Sequence, residues 1–259
     1  MSRRTVLITG ASSGIGEAFA RLFALEGFDL ILTARRQEKL EDLSDQLSSS
    51  VDVTVISADL ASEQGLSKLY QTIEDRQLNV DILVNNAGMM VQDEFTQLTV
   101  AQLEQIITLN ITALTHLTHH FLPTMIANNS GRILNVASVA AFHPVPGMDI
   151  YAATKSFVLS LTESLAENLR GTGVSLTALC PGITDTELAD QSLTASLPPF
   201  MVSSPEAVAK EGYEALMSKE VIRVPGDANK LALTWAQHQP RWLVRGLGGL
   251  VARFGGRNH

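Results

Sequence analysis

Cysteine is almost missing from this 259-residue chain: the single one, Cys180, cannot form an internal disulfide framework. That suits a reducing compartment, and its place near the end of an apolar run predicts a small buried side chain. Long apolar runs are missing too. No stretch approaches the roughly 18 residues of a membrane span. The opening MSRRTVLITG enters a strand-like segment directly, without the apolar core and small-residue cleavage site of a signal peptide. A soluble, cytoplasmic protein is expected. Basic residues are scarce as well: 19 Lys and Arg face 27 Asp and Glu, a net charge of -8 that argues against nucleic acid as the main partner. Repeats and low-complexity tracts are also absent.

What is present is a rhythm. Short apolar runs (VLIT at 6–9, LILTA at 30–34, VTVISADL at 53–60, DILVNNAG at 81–88, RILNVAS at 132–138, VSLTALCPG at 174–182 and VIRVP at 221–225) alternate with helical patterns. One long helix is expected over most of 98–128. Continuous apolar strands between helices predict a parallel sheet covered on both faces. The expected fold is therefore α/β, a single Rossmann-like doubly wound domain over 1–259 with about seven strands and a helical C-terminal extension over 227–259. Ligands of such sheets bind beyond the carboxyl ends of the strands, where the polar and glycine-rich clusters of this chain fall.

TGASSGIG at 9–16 links the first strand to the first helix. Gly10, Gly14 and Gly16 permit a tight turn and a close backbone approach, and the helix N-terminus that follows suits a pyrophosphate. Ser12, Ser13 and Ile15 belong to the same loop. A purely structural turn is the alternative, but the strand-to-helix context predicts dinucleotide binding. At the end of the second strand, where an NAD enzyme carries an acid, this chain has Thr33, Ala34, Arg35 and Arg36. Guanidinium groups without a carboxylate suit a 2′-phosphate and hence NADP(H). Otherwise the two arginines are simply exposed helix-start residues.

Further along, NNAG stands at 85–88, YAATK at 151–155 and PGITDT at 181–186, with Ser138 located 13 residues before Tyr151 and Asn110 in the fourth major helical pattern. A tyrosine and a lysine four apart, taken alone, read as a solvated helix face. The ordered set is different: over residues 5–225 the chain resembles the short-chain dehydrogenase/reductase family, with its TGxxxGIG, NNAG and YxxxK motifs. That resemblance implies catalytic roles for Asn110, Ser138, Tyr151 and Lys155. It also places Asp59 and Leu60 beside an adenine ring, and Asn86, Ala87 and Gly88 beside the adenosine ribose. Pro181 and Gly182 would line the nicotinamide side, and Ile183 and Thr186 would touch the carboxamide. Many NADP-using relatives have a lysine or arginine where this chain has Ser13, so Arg35, helped by Ser12, is expected to carry more of the phosphate recognition. A homodimer or homotetramer is the family expectation.

The chemistry follows from the side chains. Reduction of a carbonyl by hydride leaves charge on oxygen that a proton donor must neutralise. Tyrosine holds its proton too tightly to serve as base in the reverse direction, and an ammonium one helical turn away is expected to lower its pKa. Lys155 is also implied to bond the nicotinamide ribose. Ser138 would hold the substrate oxygen, and Asn110 a relay water in line with Lys155. The bland alternatives are a serine capping a strand end and a satisfied helix asparagine.

His143 and Met148, with Ser138 and Tyr151, are the candidate substrate contacts. Met89, Met90, Phe142 and Val145 add apolar character, which favours a ketone, aldehyde or secondary alcohol with a hydrophobic body. The stretch 187–204 has the length of a lid. His116, His119 and His120 are spaced along one helix, but without a carboxylate or thiolate cluster no metal is expected. In the tail, Leu243, Leu247, Leu250 and Phe254 share a face, with Arg241 and Arg245 off it, and packing is preferred over an interfacial membrane helix. The expected activity is NADP(H)-dependent interconversion of a carbonyl and an alcohol. The rival from another class is a dinucleotide-binding regulator that catalyses nothing, and an isomerase or dehydratase on the same fold is the third reading.

Overall fold

The computed structural model describes residues 3–91, 93–187, 198, 201–239, 243 and 246. Seven strands are described: β1 Thr5–Thr9, β2 Asp29–Ala34, β3 Val53–Ser57, β4 Ile82–Asn85, β5 Gly131–Val136, β6 Val174–Leu179 and β7 Ile222–Arg223. They pair in parallel into one sheet of order β3-β2-β1-β4-β5-β6-β7. The α-helices among the described residues are α1 Gly14–Leu25, α2 Gln37–Leu47, α3 Glu63–Asp75, α4 Val100–Ile107, α5 Leu114–Ala127, α6 Asp149–Asn168, α7 Pro205–Ser218 and α8 Asp227–Gln237. This is the doubly wound Rossmann-like sheet the strand–helix rhythm predicts.

The period of two along each strand divides the core. Val6, Ile8, Leu30, Leu32, Val84 and Leu134 face Phe19 and Phe23 of α1 and Val208 and Leu216 of α7. Leu7, Ile31, Leu83 and Ile133 face Leu69 of α3 and Leu117 and Phe121 of α5. Both faces of every central strand are therefore dry, which is why these runs read as continuously apolar. At Gly212 of α7 an added Cβ would meet Phe19 Cζ at 2.7 Å and Leu179 Cδ2 at 2.8 Å, so this helix packs against α1 and the sheet at the closest distance a glycine allows.

The sheet order reverses between β1 and β4, and this is where a doubly wound sheet opens a crevice. Ile8 pairs with Val84, so the glycine loop after β1 and the NNAG loop after β4 emerge side by side. Strands β3 to β7 end earlier than the apolar runs suggest, at Ser57, Asn85, Val136, Leu179 and Arg223.

Two expectations are refined. The long helix over 98–128 is interrupted: between α4 and α5, Thr108–Ala113 forms a π-helical turn. Of the proposed lid, 188–197, 199 and 200 lie outside the described residues. Its end is described, and Ser203 lies beside Thr184, with Ser203 N–H donating to the Ile183 carbonyl at 2.9 Å and Asp185 N–H to the Ser203 carbonyl at 3.0 Å. The apolar face proposed over 240–254 also lies outside the described residues, apart from positions 243 and 246. Among the described residues, no helix is long and apolar enough to cross a membrane.

Candidate active site

Helix α6 starts at Asp149, so Tyr151 and Lys155 occupy its first two turns and lie on one face. Lys155 Nζ sits 5.7 Å from the centroid of the Tyr151 ring. It donates to the Val136 carbonyl at 2.8 Å, which draws the ammonium under the end of β5. Lys155 is buried and Tyr151 half-buried. Burial pushes the Lys155 pKa down from 10.5 to about 8. Burial also pushes Tyr151 up, opposed by a hydrogen bond with the Ser138 side chain. The fall in the tyrosine pKa expected from Lys155 is therefore not what this arrangement gives. Desolvation of the phenolate outweighs the hydrogen bond with Ser138.

Ser138 lies just beyond β5 with an extended backbone, at the start of the 3-10 turn Val139–Ala141. Its Oγ accepts from Ala140 N–H at 3.1 Å, so the capping role and the contact with Tyr151 coexist. Beneath them, Cys180 is fully buried, as its apolar surroundings predict, and its thiol is pushed up to about 12.

Asn110 reaches this site because of the π turn. Its Oδ1 accepts from Met89 N–H at 2.9 Å, and its Nδ2 donates to the Met89 carbonyl at 2.9 Å and to Thr154 Oγ1 at 3.1 Å. Thr154 in turn donates to the Tyr151 carbonyl at 2.7 Å. The amide is thus committed to bracing the loop after β4 against α6. A Cβ on Gly88 would come within 3.3 Å of Asn110 Oδ1 and 3.5 Å of Lys155 Nζ, so these three residues meet at one point.

The glycine loop is tied to the NNAG loop by Thr9. Its hydroxyl accepts from the N–H groups of Asn86 and Ala87, both at 2.9 Å, and donates to the Val84 carbonyl at 3.2 Å. Asn86 Nδ2 turns back to the carbonyls of Thr9 (2.9 Å) and Gly10 (3.3 Å). Asn85 instead enters a buried polar chain, donating to Thr118 Oγ1 at 3.1 Å and Asn135 Oδ1 at 2.9 Å. A Cβ on Gly16 would collide with the Gly10 carbonyl and with Asn86 Nδ2. Gly14 has a left-handed φ of +56°, and Thr186 Cγ2 lies 3.0 Å from where its Cβ would be. Helices α3, α4 and α7 carry side-chain N-caps from Ser62, Thr99 and Ser204. Ser13 makes no such cap at α1, which leaves that helix's first N–H groups directed at the crevice. Ile15 packs on the core below the loop.

Beside the loop lies a cluster of donors. Arg36 Nη2 donates to Ser13 Oγ at 2.7 Å and Ser12 Oγ at 3.0 Å, and Nε to Ser12 Oγ at 3.2 Å. Arg36 Nη1 pairs with Glu187 Oε2 at 2.7 Å, and Lys39 Nζ with Glu187 Oε1 at 2.7 Å. The hydrogen bonds from Lys39 and Arg36 hold the Glu187 carboxyl down at about 2. A cavity of about 430 Å³ adjoins the cluster, lined by Ser12, Ser13, Gly14, Lys39 and Glu187 among others. Here the emphasis of the sequence shifts. Arg36 rather than Arg35 reaches the serines, whereas the described contact of Arg35 is its carbonyl, which accepts from Ser57 Oγ at 3.3 Å.

The remaining candidates distribute as follows. Asp59 is exposed and Leu60 is buried within the core cluster, so the leucine offers its backbone rather than its side chain to any ring beside it. The Pro181 carbonyl accepts from Val139 N–H at 2.9 Å, which joins the PG loop to the turn after Ser138. At Gly182 an added Cβ would strike the Asn229 side chain of α8. His143 and Met148 are half-buried in the segment between Ser138 and Tyr151. His120 stacks on Tyr70 at 3.9 Å. Among the described residues no group of three or more His, Cys, Asp or Glu converges.

The model of the family described as short chain dehydrogenase matches residues 4–196, three quarters of the chain, including the glycine, NNAG and PG loops and the Ser138–Lys155 segment. The chain belongs to the short-chain dehydrogenase/reductase family. It is an oxidoreductase of that family. Relatives include sulfoacetaldehyde reductase 2 of Chromohalobacter salexigens, 41% identical over 184 residues covering 70% of this chain and 73% of that protein. Among solved structures, a short-chain dehydrogenase from Sphingobium yanoikuyae in complex with NADPH aligns with a TM-score of 0.79 and 35% identity, covering 96% of this chain and 95% of that one. The bulky-bulky ketone specific alcohol dehydrogenase from Comamonas testosteroni aligns with a TM-score of 0.79 and 30% identity, covering 100% and 97%. The uncapped α1, the left-handed Gly14 and the adjoining cations fit a nicotinamide dinucleotide.

Sequence reasoning did not single out Thr9, Lys39, Thr154, Glu187 or Asn229. Thr154 lies inside YAATK and Glu187 directly after PGITDT, so proximity to a motif was the only signal available for them.

Proposed function

We propose that this oxidoreductase interconverts a carbonyl and an alcohol by hydride transfer with NADP(H), without a metal. The observation that carries the reading is the convergence of Tyr151, Ser138, Lys155 and Asn110 at the carboxyl end of β5, next to the glycine loop. A nicotinamide held beside these residues would supply or accept the hydride. Tyr151, its phenol kept protonated by burial, gives a proton to the carbonyl oxygen during reduction. Ser138 holds that oxygen and bonds the phenol. Lys155, with its pKa near 8, exchanges a proton close to neutral pH and so refills the tyrosine. Asn110 fixes the loop at Met89 that borders these groups.

The glycine loop with Ser12 and Ser13, the Asn86–Gly88 loop and the Pro181–Thr186 loop would hold the dinucleotide, with Arg36 and Lys39 on its 2′-phosphate. The NADPH in the Sphingobium relative supports that preference. The activities of these relatives, a reductase of sulfoacetaldehyde and an alcohol dehydrogenase specific for bulky ketones, support the carbonyl–alcohol reaction class. Phe142, Val145 and Met148, between Ser138 and Tyr151, favour a substrate with an apolar body.

The test is consumption of NADPH and NADH against a panel of ketones and aldehydes by wild type and Tyr151→Phe, with cofactor affinities measured alongside. The expected result is NADPH-dependent turnover that falls roughly a thousandfold in the variant while NADPH binding is retained. Undiminished turnover in Tyr151→Phe overturns the mechanism.

A further inference from the structure

The donor cluster beside the glycine loop holds an anion that belongs to the chain itself. Glu187 places one carboxylate oxygen on Arg36 and the other on Lys39, each at 2.7 Å. Meanwhile Ser12 and Ser13 orient the guanidinium from behind. Two cations and two hydroxyls around a single carboxylate make an anion cradle, and its components come from three separate parts of the sequence: the loop after β1, the start of α2 and the end of the PG loop. A phosphate monoester, with roughly −1.5 to −2 charges and three acceptor oxygens at pH 7, is a stronger ligand for the same donors than a carboxylate.

We infer that Glu187 competes with the 2′-phosphate of the bound dinucleotide for Arg36 and Lys39, and so sets how strongly the chain prefers NADP(H) over NAD(H). The inference rests on the assignment of this cluster to the 2′-phosphate made above. With Glu187 in place the cluster carries one net positive charge instead of two, which weakens its pull on a phosphate and leaves a 2′-hydroxyl ribose unpenalised. The carboxylate is also well placed to yield. Its side chain is 52% exposed, so once released it is solvated by water rather than stranded. Glu187 directly follows the loop whose Thr186 abuts Gly14. The residue that answers the 2′-phosphate is therefore continuous with the loop expected to touch the nicotinamide. Exposed ion pairs of this kind are individually weak, so the effect on the nucleotide is modest, about threefold to tenfold in affinity.

The experiment is calorimetric titration of NADPH, NADH, 2′,5′-ADP and 5′-AMP into the full chain, as wild type, Glu187→Gln, Arg36→Ala and the double variant. Glu187→Gln is expected to bind NADPH and 2′,5′-ADP about threefold to tenfold more tightly, with NADH and 5′-AMP unchanged. The gain should shrink in the Arg36→Ala background and at high salt. An unchanged or weakened NADPH affinity in Glu187→Gln, or an equal gain for NADH, overturns the inference. If wild type prefers NADPH and Glu187→Gln leaves the ratio where it was, this inference alone fails. If wild type prefers NADH and neither chain binds 2′,5′-ADP, the assignment of the 2′-phosphate fails and takes the inference with it.

Discussion

Replacing Lys155 by methionine is expected to stabilise the folded chain at neutral pH while removing its chemistry. Burial lowers the Lys155 pKa from 10.5 to about 8. Between those two values the unfolded chain binds more protons than the folded one, so this group's contribution to stability rises with pH across that window and is least favourable below pH 8. At pH 7 the difference amounts to about 3 kcal/mol against the fold. Methionine fills nearly the same unbranched volume without a charge, but forfeits the hydrogen bond to Val136, worth about 1 kcal/mol. The net expectation is a gain of about 2 kcal/mol in urea denaturation at pH 7. At pH 9.5 the folded wild type has shed most of the penalty, and the gap between the chains should close by about 2 kcal/mol. Because every other group is common to both chains, that change in the gap isolates Lys155. A variant less stable than wild type at pH 7, or a gap that ignores pH, would refute the reasoning.

Three further outcomes follow from the same geometry. Gly16→Ala, whose methyl group collides with the Gly10 carbonyl and the Asn86 amide, should lose about 1–3 kcal/mol of stability and most dinucleotide affinity, read by thermal melting and by titration. Asn110→Ala strands both backbone groups of Met89 and should lose about 1–3 kcal/mol in urea denaturation, with kcat falling as well. Because burial raises the Tyr151 pKa, reduction needs a form already present at neutral pH and should stay flat up to about pH 8, falling once Lys155 loses the proton it supplies, whereas alcohol oxidation needs the phenolate and should climb throughout. Parallel pH profiles in the two directions would contradict the assignment of Tyr151.

Much of the fold and half of the site were legible in the sequence, for a specific reason. A strand buried on both faces leaves a continuous apolar run, and its end is marked by the first polar or glycine residue, so TGASSGIG, NNAG and PGITDT locate the crevice directly. YAATK is legible because helical spacing alone brings Tyr151 and Lys155 together. What stayed hidden depends on tertiary contact. Arg36 meets Glu187 across 151 residues, and the difference between Arg35 and Arg36 is a choice of direction at a helix start that composition does not record. The direction of the Tyr151 shift was misjudged because neighbouring charge is visible along a helix, whereas burial depends on everything packed around it.

The π turn at Thr108–Ala113 has a consequence for how this chain can change. It holds one more residue per turn than the helices on either side. Removing any single residue between α4 and α5 would let the segment relax into an unbroken helix. The hydrogen-bond ladder would gain regularity and α4 and α5 would stay in phase, because the wide turn had absorbed the extra residue, but Asn110 would lose the bulged backbone that carries its amide to Met89. A one-codon deletion here would thus trade the position of Asn110 for a more regular helix.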